Sequence, residues 1–249
     1  MINHIDKSHK SAAYVKKADV VDMGLREYML SVYIYMTMAL LVTGISAFVT
    51  MNVDPIVRLM FKFSEYGHIT GNTLFGILVM FSPIGIAWYF HSKVMQISIE
   101  QSNTMLWIYA GLVGMSLLGF VYTGTSIVRT FLICASMFGG MSIYGYTTKR
   151  DLTSMGSFLT MGIVGLFLAS LVNLFFFSSA VYFVTSILGI VIFTGLVAWD
   201  AQRIKSIYFT VGNGEIGKKM AVVGAFSLYL NFINLFLYLL RFFGVRRDE

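Results

Sequence analysis

Seven long apolar runs, separated by short polar connectors, dominate this sequence. Hydrophobic residues make up 57% of the chain and charged residues 12%, whereas about 25% are charged in a typical soluble domain. About 20 apolar helical residues cross a bilayer core, and the runs lack the alternation of a spanning strand. The sequence predicts an all-α integral membrane protein with seven transmembrane helices. The predicted spans are about 27–51, 73–91, 104–124, 126–147, 155–177, 179–200 and 222–243.

The ends and connectors of the chain predict its domains and orientation. Residues 1–25 are polar and of mixed charge, and the first apolar run is too long and too far in for a secretory signal. We therefore expect a polar N-terminal tail, 1–25, and a single seven-span membrane domain, 26–249. With the tail inside, inner segments hold twelve lysines and arginines and outer segments six. The positive-inside rule then places the N-terminus in the cytoplasm.

Two local patterns predict details of packing. Three pairs of small residues four positions apart predict close approach of neighbouring helices. The segment PIVRLMFKFSEYG, 55–67, gathers charged residues on one face among aromatic and aliphatic ones. It predicts either a short interfacial helix on the outer surface or a plain connector. The small-residue pairs are Ala135/Gly139, Ser136/Gly140 and Gly165/Ala169.

Several kinds of membrane chemistry lack the residues that they require. A retinal protein needs an intramembrane lysine, and the predicted spans contain none. An intramembrane serine protease needs a histidine base, and only His91 touches a span, at its end. The glycines of VGNGEIG, 211–217, predict a turn and not a phosphate-binding loop. We expect no enzyme activity, no cofactor, no metal site and no nucleic-acid partner, and we expect Cys134 to be a small buried hydrophobe.

A polar stripe marks the last apolar run. Ser227, Asn231, Asn234, Tyr238 and Arg241 are spaced four, three, four and three residues apart, so they share one helix face. Such a face is unfavourable against lipid, which predicts that the last helix is central in the bundle. Two interpretations stay open: the asparagines join helices by hydrogen bonds, or they line a polar path.

Asp200 ends the sixth run, directly after LVAW. One interpretation is a helix-end carboxylate paired with Arg203 one turn further on. The other is a functional carboxylate that meets Asn231, because the sixth and seventh spans are antiparallel. A carboxyl–amide separation within about 3.2 Å would support a latch between the two helices. The candidate residues of a polar path are Asp200, Asn231, Asn234 and Arg203.

Two segments carry a family resemblance. AWDAQRIK, 198–205, and AFSLYLNFINLFLYLLRFFG, 225–244, resemble the signature segments of the Bax inhibitor-1 (transmembrane Bax-inhibitor-motif) family. The resemblance implies seven spans and a pair of aspartates that senses pH and controls a calcium-permeable leak. Asp200 matches the first aspartate, whereas Asn231 stands in the place of the second. The resemblance thus implies that the ion pathway and pH latch are formed by Asp200, Asn231, Asn234 and Arg203. The second span also lacks the carboxylate that some members carry there.

The resemblance supports two different functions. The first is a pH-sensitive calcium or cation leak of a bacterial inner membrane, or an organellar one, whose partners are the lipid bilayer and the conducted ion. One carboxylate should bind calcium more weakly than two, because calcium prefers several anionic oxygens. The alternative is a non-conducting regulatory protein in membrane-protein quality control or stress protection. In that case the tail would engage a membrane-bound ATP-dependent protease.

Overall fold

The computed structural model describes residues 2–65, 69–117 and 124–243, with side chains from Met23 onwards except at Ile69, His91 and residues 124–126. Helices and one small hairpin make up this part of the chain, as the apolar runs predicted. The elements are α1 Ile2–Asn52, α2 Asp54–Met60, β1 Phe61–Phe63, β2 Ile69–Asn72, α3 Leu74–Lys93, α4 Ile99–Ser116, α5 Gly124–Thr147, α6 Thr153–Phe176, α7 Ser179–Val211 and α8 Glu215–Phe243.

Five of the described helices are long and apolar enough to cross a membrane, which agrees with an all-α membrane fold. Two of the predicted spans correspond to helices that are not among these five. Helix α3 has a shorter apolar stretch, Leu74–Phe90, and α4 begins with the polar sequence IEQSNT. The predicted third span also extends into residues 118–123, which lie outside the described residues. Five spans are therefore supported, and the count of seven stays a prediction.

The last helix is the centre of the described bundle, as its polar stripe predicted. Helix α8 packs against α1, α4, α5 and α7. In its most apolar window 67% of the residues are buried, against 11% for α6 and 22% for α1. Helix α6 instead exposes large apolar side chains such as Phe158 and Phe167, which suits contact with lipid acyl chains.

Helices α7 and α8 both extend past the predicted spans. Helix α7 continues to Val211, so Asp200 lies inside the helix and not at its end. The eleven residues beyond Asp200 add about 17 Å of helix. Helix α8 already begins at Glu215, and the turn between them contains Gly212 at a φ of 65°. Because these extensions contain polar residues, a prediction based on hydropathy leaves them out of both helices.

The segment 55–67 is only partly helical. Helix α2 ends at Met60, and Phe61–Phe63 forms a strand that pairs antiparallel with Ile69–Asn72. The alternating Phe-Lys-Phe sequence suits a strand with one covered face, and Phe61 is buried. Thr73 caps α3 and also reaches back to the Met60 carbonyl, 3.1 Å away. The predicted interfacial helix over 55–67 is therefore wrong over 61–65, and residues 66–67 lie outside the described residues.

The predicted small-residue contacts are wrong at their glycines. A β-carbon added at Gly139, Gly140 or Gly165 would meet no neighbouring atom of the described residues within 4 Å. The close approach of α5 to α7 lies instead at Gly145, where a β-carbon would collide with the Ala198 backbone. Spacing of four identifies a smooth helix face, but it does not decide which face points into the bundle. Glycine is required at Gly145 because backbone, which cannot rotate away, occupies the space.

Replacement of Gly145 by alanine should lower stability by about 1–3 kcal/mol, because the added methyl group overpacks the α5–α7 contact. Thermal unfolding in detergent can be followed with a thiol-reactive fluorogenic dye, since Cys134 is the only cysteine and is fully buried. Gly139→Ala on the same helix is the matched control and should keep or raise the midpoint temperature. Equal midpoints for the two variants would contradict the assignment of the α5–α7 contact.

Candidate functional site

The short connection between α7 and α8 brings Asp200 to the polar stripe. The two helices are antiparallel around Asn213, and Phe226 lies as far after that residue as Asp200 lies before it. Ser227 and Asn231 therefore reach the level of Asp200 on successive turns of one α8 face. The tight turn also lets Gly217 of α8 pack against the Gly212 carbonyl.

The Asp200 carboxylate is buried and held by two donors from α8. Its side chain is only 3% exposed. The Ser227 hydroxyl donates a hydrogen bond to Asp200 Oδ2 over 2.6 Å, and Asn231 Nδ2 donates to the same oxygen over 2.6 Å. The separation from Asn231 is well within the limit set for a latch. Both contacts link α7 to α8, so the register of this helix pair depends on one carboxylate.

The second oxygen of Asp200 faces Arg203. Arg203 Nη1 lies 3.6 Å from Asp200 Oδ1, which makes an ion pair without a close hydrogen bond. Oδ1 is buried and has no hydrogen-bond partner among the described residues. The Arg203 side chain is 48% exposed and its guanidinium lies 5.3 Å from the centre of the Trp199 ring. The ion pair with Arg203 and the contact with Asn231, alternatives in the sequence analysis, are present together, but neither lies at a helix end.

The remaining stripe residues also face α7, except one. Tyr238 stacks on Phe193 with ring centres 5.6 Å apart, and Arg241 lies 5.2 Å from the Tyr182 ring. Asn234 Nδ2 donates to the Leu230 carbonyl of its own helix over 2.8 Å. The structure thus brings Asp200, Asn231 and Arg203 together, adds Ser227, and leaves Asn234 outside the group.

The sequence analysis did not predict a second polar contact of α8, which joins it to α1. The hydroxyl of Tyr229, a fully buried residue, lies 2.7 Å from Thr43 Oγ1 of α1. Thr43 Oγ1 is in turn 3.0 Å from the Ala110 carbonyl of α4. A tyrosine and a threonine in apolar runs give no periodic signal, so only tertiary structure identifies this link. Ser227, by contrast, lies one turn before Asn231 on the same face, and that spacing could have placed it in the site.

The site offers one carboxylate and no clustered metal ligands. Within the described ranges, no three histidine, cysteine, aspartate or glutamate side chains lie close enough together to hold a metal ion. Asp200 is surrounded instead by two neutral donors and one guanidinium. It is not arranged as a resident calcium site, which needs six to eight oxygen ligands.

Comparison with known proteins assigns the family. Residues 25–248 match the sequence model for "Inhibitor of apoptosis-promoting Bax1". The chain belongs to the Bax inhibitor-1 family. The match includes Asp200, Ser227 and Asn231, so the buried carboxylate and its two donors lie within the family region of the chain.

Bacterial relatives match this Bax inhibitor-1 protein over almost its whole length. An uncharacterized Rickettsia prowazekii protein is 54% identical over 241 residues, which cover 96% of this chain and 98% of the relative. A Caulobacter vibrioides protein is 39% identical over 251 residues, with 99% and 100% coverage. The inner membrane protein YbhL of Escherichia coli is 37% identical over 228 residues, with 90% and 94% coverage. These relatives support a bacterial membrane protein.

Replacement of Asn231 by alanine should lower stability by about 1–3 kcal/mol, because buried Asp200 Oδ2 loses one of its two donors. Asn234→Ala is the matched control and should have a much smaller effect, since its amide bonds only to its own helix. The midpoint of Cys134 exposure on heating measures both variants. Equal destabilisation would show that the contact with Asp200 does not stabilise the α7–α8 pair.

Proposed function

We propose that this Bax inhibitor-1 family member is a seven-span, pH-sensitive cation leak of the bacterial inner membrane. Asp200 is its latch, and Ser227 and Asn231 hold the latch closed. The observation that carries the proposal is the buried Asp200 carboxylate, joined to α8 by two hydrogen bonds of 2.6 Å. An ionisable side chain buried within a membrane-spanning helix is costly, and function is the usual reason for keeping it.

The chemistry of the carboxylate gives the latch its sensitivity to pH. When ionised, Asp200 accepts hydrogen bonds from both α8 donors and attracts Arg203. A proton removes the negative charge and turns one oxygen into a donor, so the contacts with Arg203 and with α8 both weaken. The α7–α8 pair then separates more easily. We therefore expect the leak to increase as the pH falls through the range in which Asp200 titrates.

Because Asn231 is uncharged, this latch carries one negative charge fewer than a pair of aspartates. An amide donates a hydrogen bond but brings no second negative charge to the path. Cation attraction at the latch is therefore weaker than with two carboxylates. Two adjacent carboxyls would also share one proton, which raises one apparent pKa of the pair. Asn231→Asp should thus increase calcium flux and move the pH midpoint of the leak upwards.

Calcium entry into liposomes containing the purified protein tests the leak across a series of pH values. Wild type should show flux that rises towards acid pH, and Asp200→Asn should show flux that no longer depends on pH. Asn234→Ala is the control and should behave as wild type, because its side chain does not reach Asp200. Absence of flux at every pH, in wild type and in Asn231→Asp alike, would refute the leak.

A second function, a non-conducting regulator of membrane-protein quality control, has one observation in its favour. Ser227, Asn231, Tyr238 and Arg241 all contact α7, as expected if the stripe only joins helices. In this proposal the N-terminal tail is the functional segment, and a membrane-bound ATP-dependent protease is its partner. Neither proposed function includes an enzymatic reaction by this chain.

Deletion of residues 2–22 separates tail function from folding. The deletion stops before Gly24 and Leu25, which are buried, and Gly24 packs against Tyr208 of α7. If the tail engages a protease, the shortened protein should persist longer in cells after synthesis is stopped. The thermal midpoint of the purified variant, read at Cys134, should match that of the full chain. An unchanged lifetime with an unchanged midpoint would refute the tail's role.

A further inference from the structure

A cavity of about 540 Å³ lies beside the latch, between the α5–α6 loop and α7. Three cationic residues line it: Lys149 and Arg150 from the loop, and Arg203 from α7. Trp199 also lines the cavity, and its ring lies under the Arg203 guanidinium. The same arginine therefore faces Asp200 on one side and the cavity on the other.

Gln202 fixes the shape of this cavity. Its Nε2 donates to the Arg150 carbonyl over 2.7 Å, and its Oε1 accepts from the Leu152 amide over 2.8 Å. Both bonds hold the loop backbone on α7, and the Leu152 side chain is buried. Lys149 and Arg150 are thereby held near Arg203 before any ligand binds. Such preorganisation reduces the entropic cost of binding.

The electrostatics of the cavity favour an anion. The acidic residue in its lining, Asp151, is turned towards Thr153 and accepts hydrogen bonds from the Thr153 amide and hydroxyl over 2.9 and 2.6 Å. These bonds lower the pKa of Asp151, which is therefore charged at neutral pH. Three cations against this one carboxylate still leave an excess of positive charge.

We propose that this cavity binds a phosphate-bearing anion, a phospholipid headgroup or a free phosphate ester, which draws Arg203 away from Asp200. Arginine presents a planar fork of donors that matches phosphate, and its present 3.6 Å contact with Asp200 is too long for a close hydrogen bond. Loss of the guanidinium leaves Asp200 held by Ser227 and Asn231 alone. The regulatory step rests on the proposed leak, whereas the binding site does not.

The position of the cavity suits a headgroup. Lys149, Arg150 and Arg203 belong to the basic end of the bundle, which the positive-inside rule assigns to the cytoplasm. Anionic headgroups of that leaflet attract basic side chains near the surface. A bound headgroup would connect the lipid composition of the membrane to the strength of the Arg203–Asp200 contact.

Fluorescence of Trp199 measures binding directly. Trp88→Phe and Trp107→Phe leave Trp199 as the only tryptophan of the full-length chain. In detergent, short-chain phosphatidylglycerol should change its emission saturably, whereas short-chain phosphatidylcholine should not. Inorganic phosphate distinguishes the source of the ligand: saturation by phosphate too supports a free phosphate ester, and saturation by the lipid alone supports a headgroup. An equal response to both lipids, or none, would overturn the site.

Charge variants test whether Lys149 and Arg150 contribute to binding of the anion. Lys149→Ala with Arg150→Ala should weaken binding by about 30-fold, because two basic contacts to the anion are lost. Lys93→Ala with Lys218→Ala removes the same charge from exposed positions at the same end and should leave binding unchanged. Equal weakening in both double variants would overturn the site in favour of general surface charge. Gln202→Ala should weaken binding while all three cations remain.

Flux measurements separate the site from the leak. Liposomes containing phosphatidylglycerol should show more calcium flux through wild type than phosphatidylcholine liposomes, and Lys149→Ala with Arg150→Ala should remove the difference. Saturable binding together with lipid-independent flux would overturn the coupling to Asp200. Saturable binding without flux at any pH would overturn the proposed leak and leave the anion site standing.

Discussion

Burial of the Asp200 carboxylate is the constraint on which this structure depends. An ionised carboxylate removed from water is strongly unfavourable unless hydrogen bonds and an opposite charge replace its hydration. Ser227 and Asn231 supply the hydrogen bonds from α8, and Arg203 supplies the charge from α7 itself. The helix pair therefore has one register that supplies both donors, and a shift of one turn would leave the carboxylate with a single donor at most.

The rest of the bundle is assembled around the helix that carries those donors. Between Ser227 and Asn231 in the chain, Tyr229 connects α8 to Thr43 of α1 and, through it, to α4. Aromatic contacts such as Phe138 with Phe232 pack α5 against α8. Apolar side chains cannot select partners in lipid, because acyl chains solvate them equally well. The few polar contacts of α8 therefore contribute specificity that the many apolar ones do not.

Sequence analysis could predict the features that depend on the spacing of polar residues and on the membrane environment. The apolar runs predicted a helical membrane protein, the stripe predicted a central last helix, and antiparallel geometry predicted the Asp200–Asn231 contact. It could not predict features decided by tertiary contacts. Gly145 and not Gly139 packs against backbone, and the polar ends of α7 and α8 remain helical because they pack on each other. Asn234 satisfied the stripe pattern equally well, but its amide turned to its own helix.

The long helices on either side of the Gly212 turn make the α7–α8 pair a lever. Asp200 lies about a third of the way along α7 from the turn, and Ser179 lies at the far end. For rigid helices pivoting at the turn, a separation of about 1 Å at Asp200 becomes about 3 Å at the opposite membrane surface. Arg241 and Tyr182 lie near that far end. A proton or an anion acting at the basic end would therefore produce its largest displacement on the other side of the bilayer.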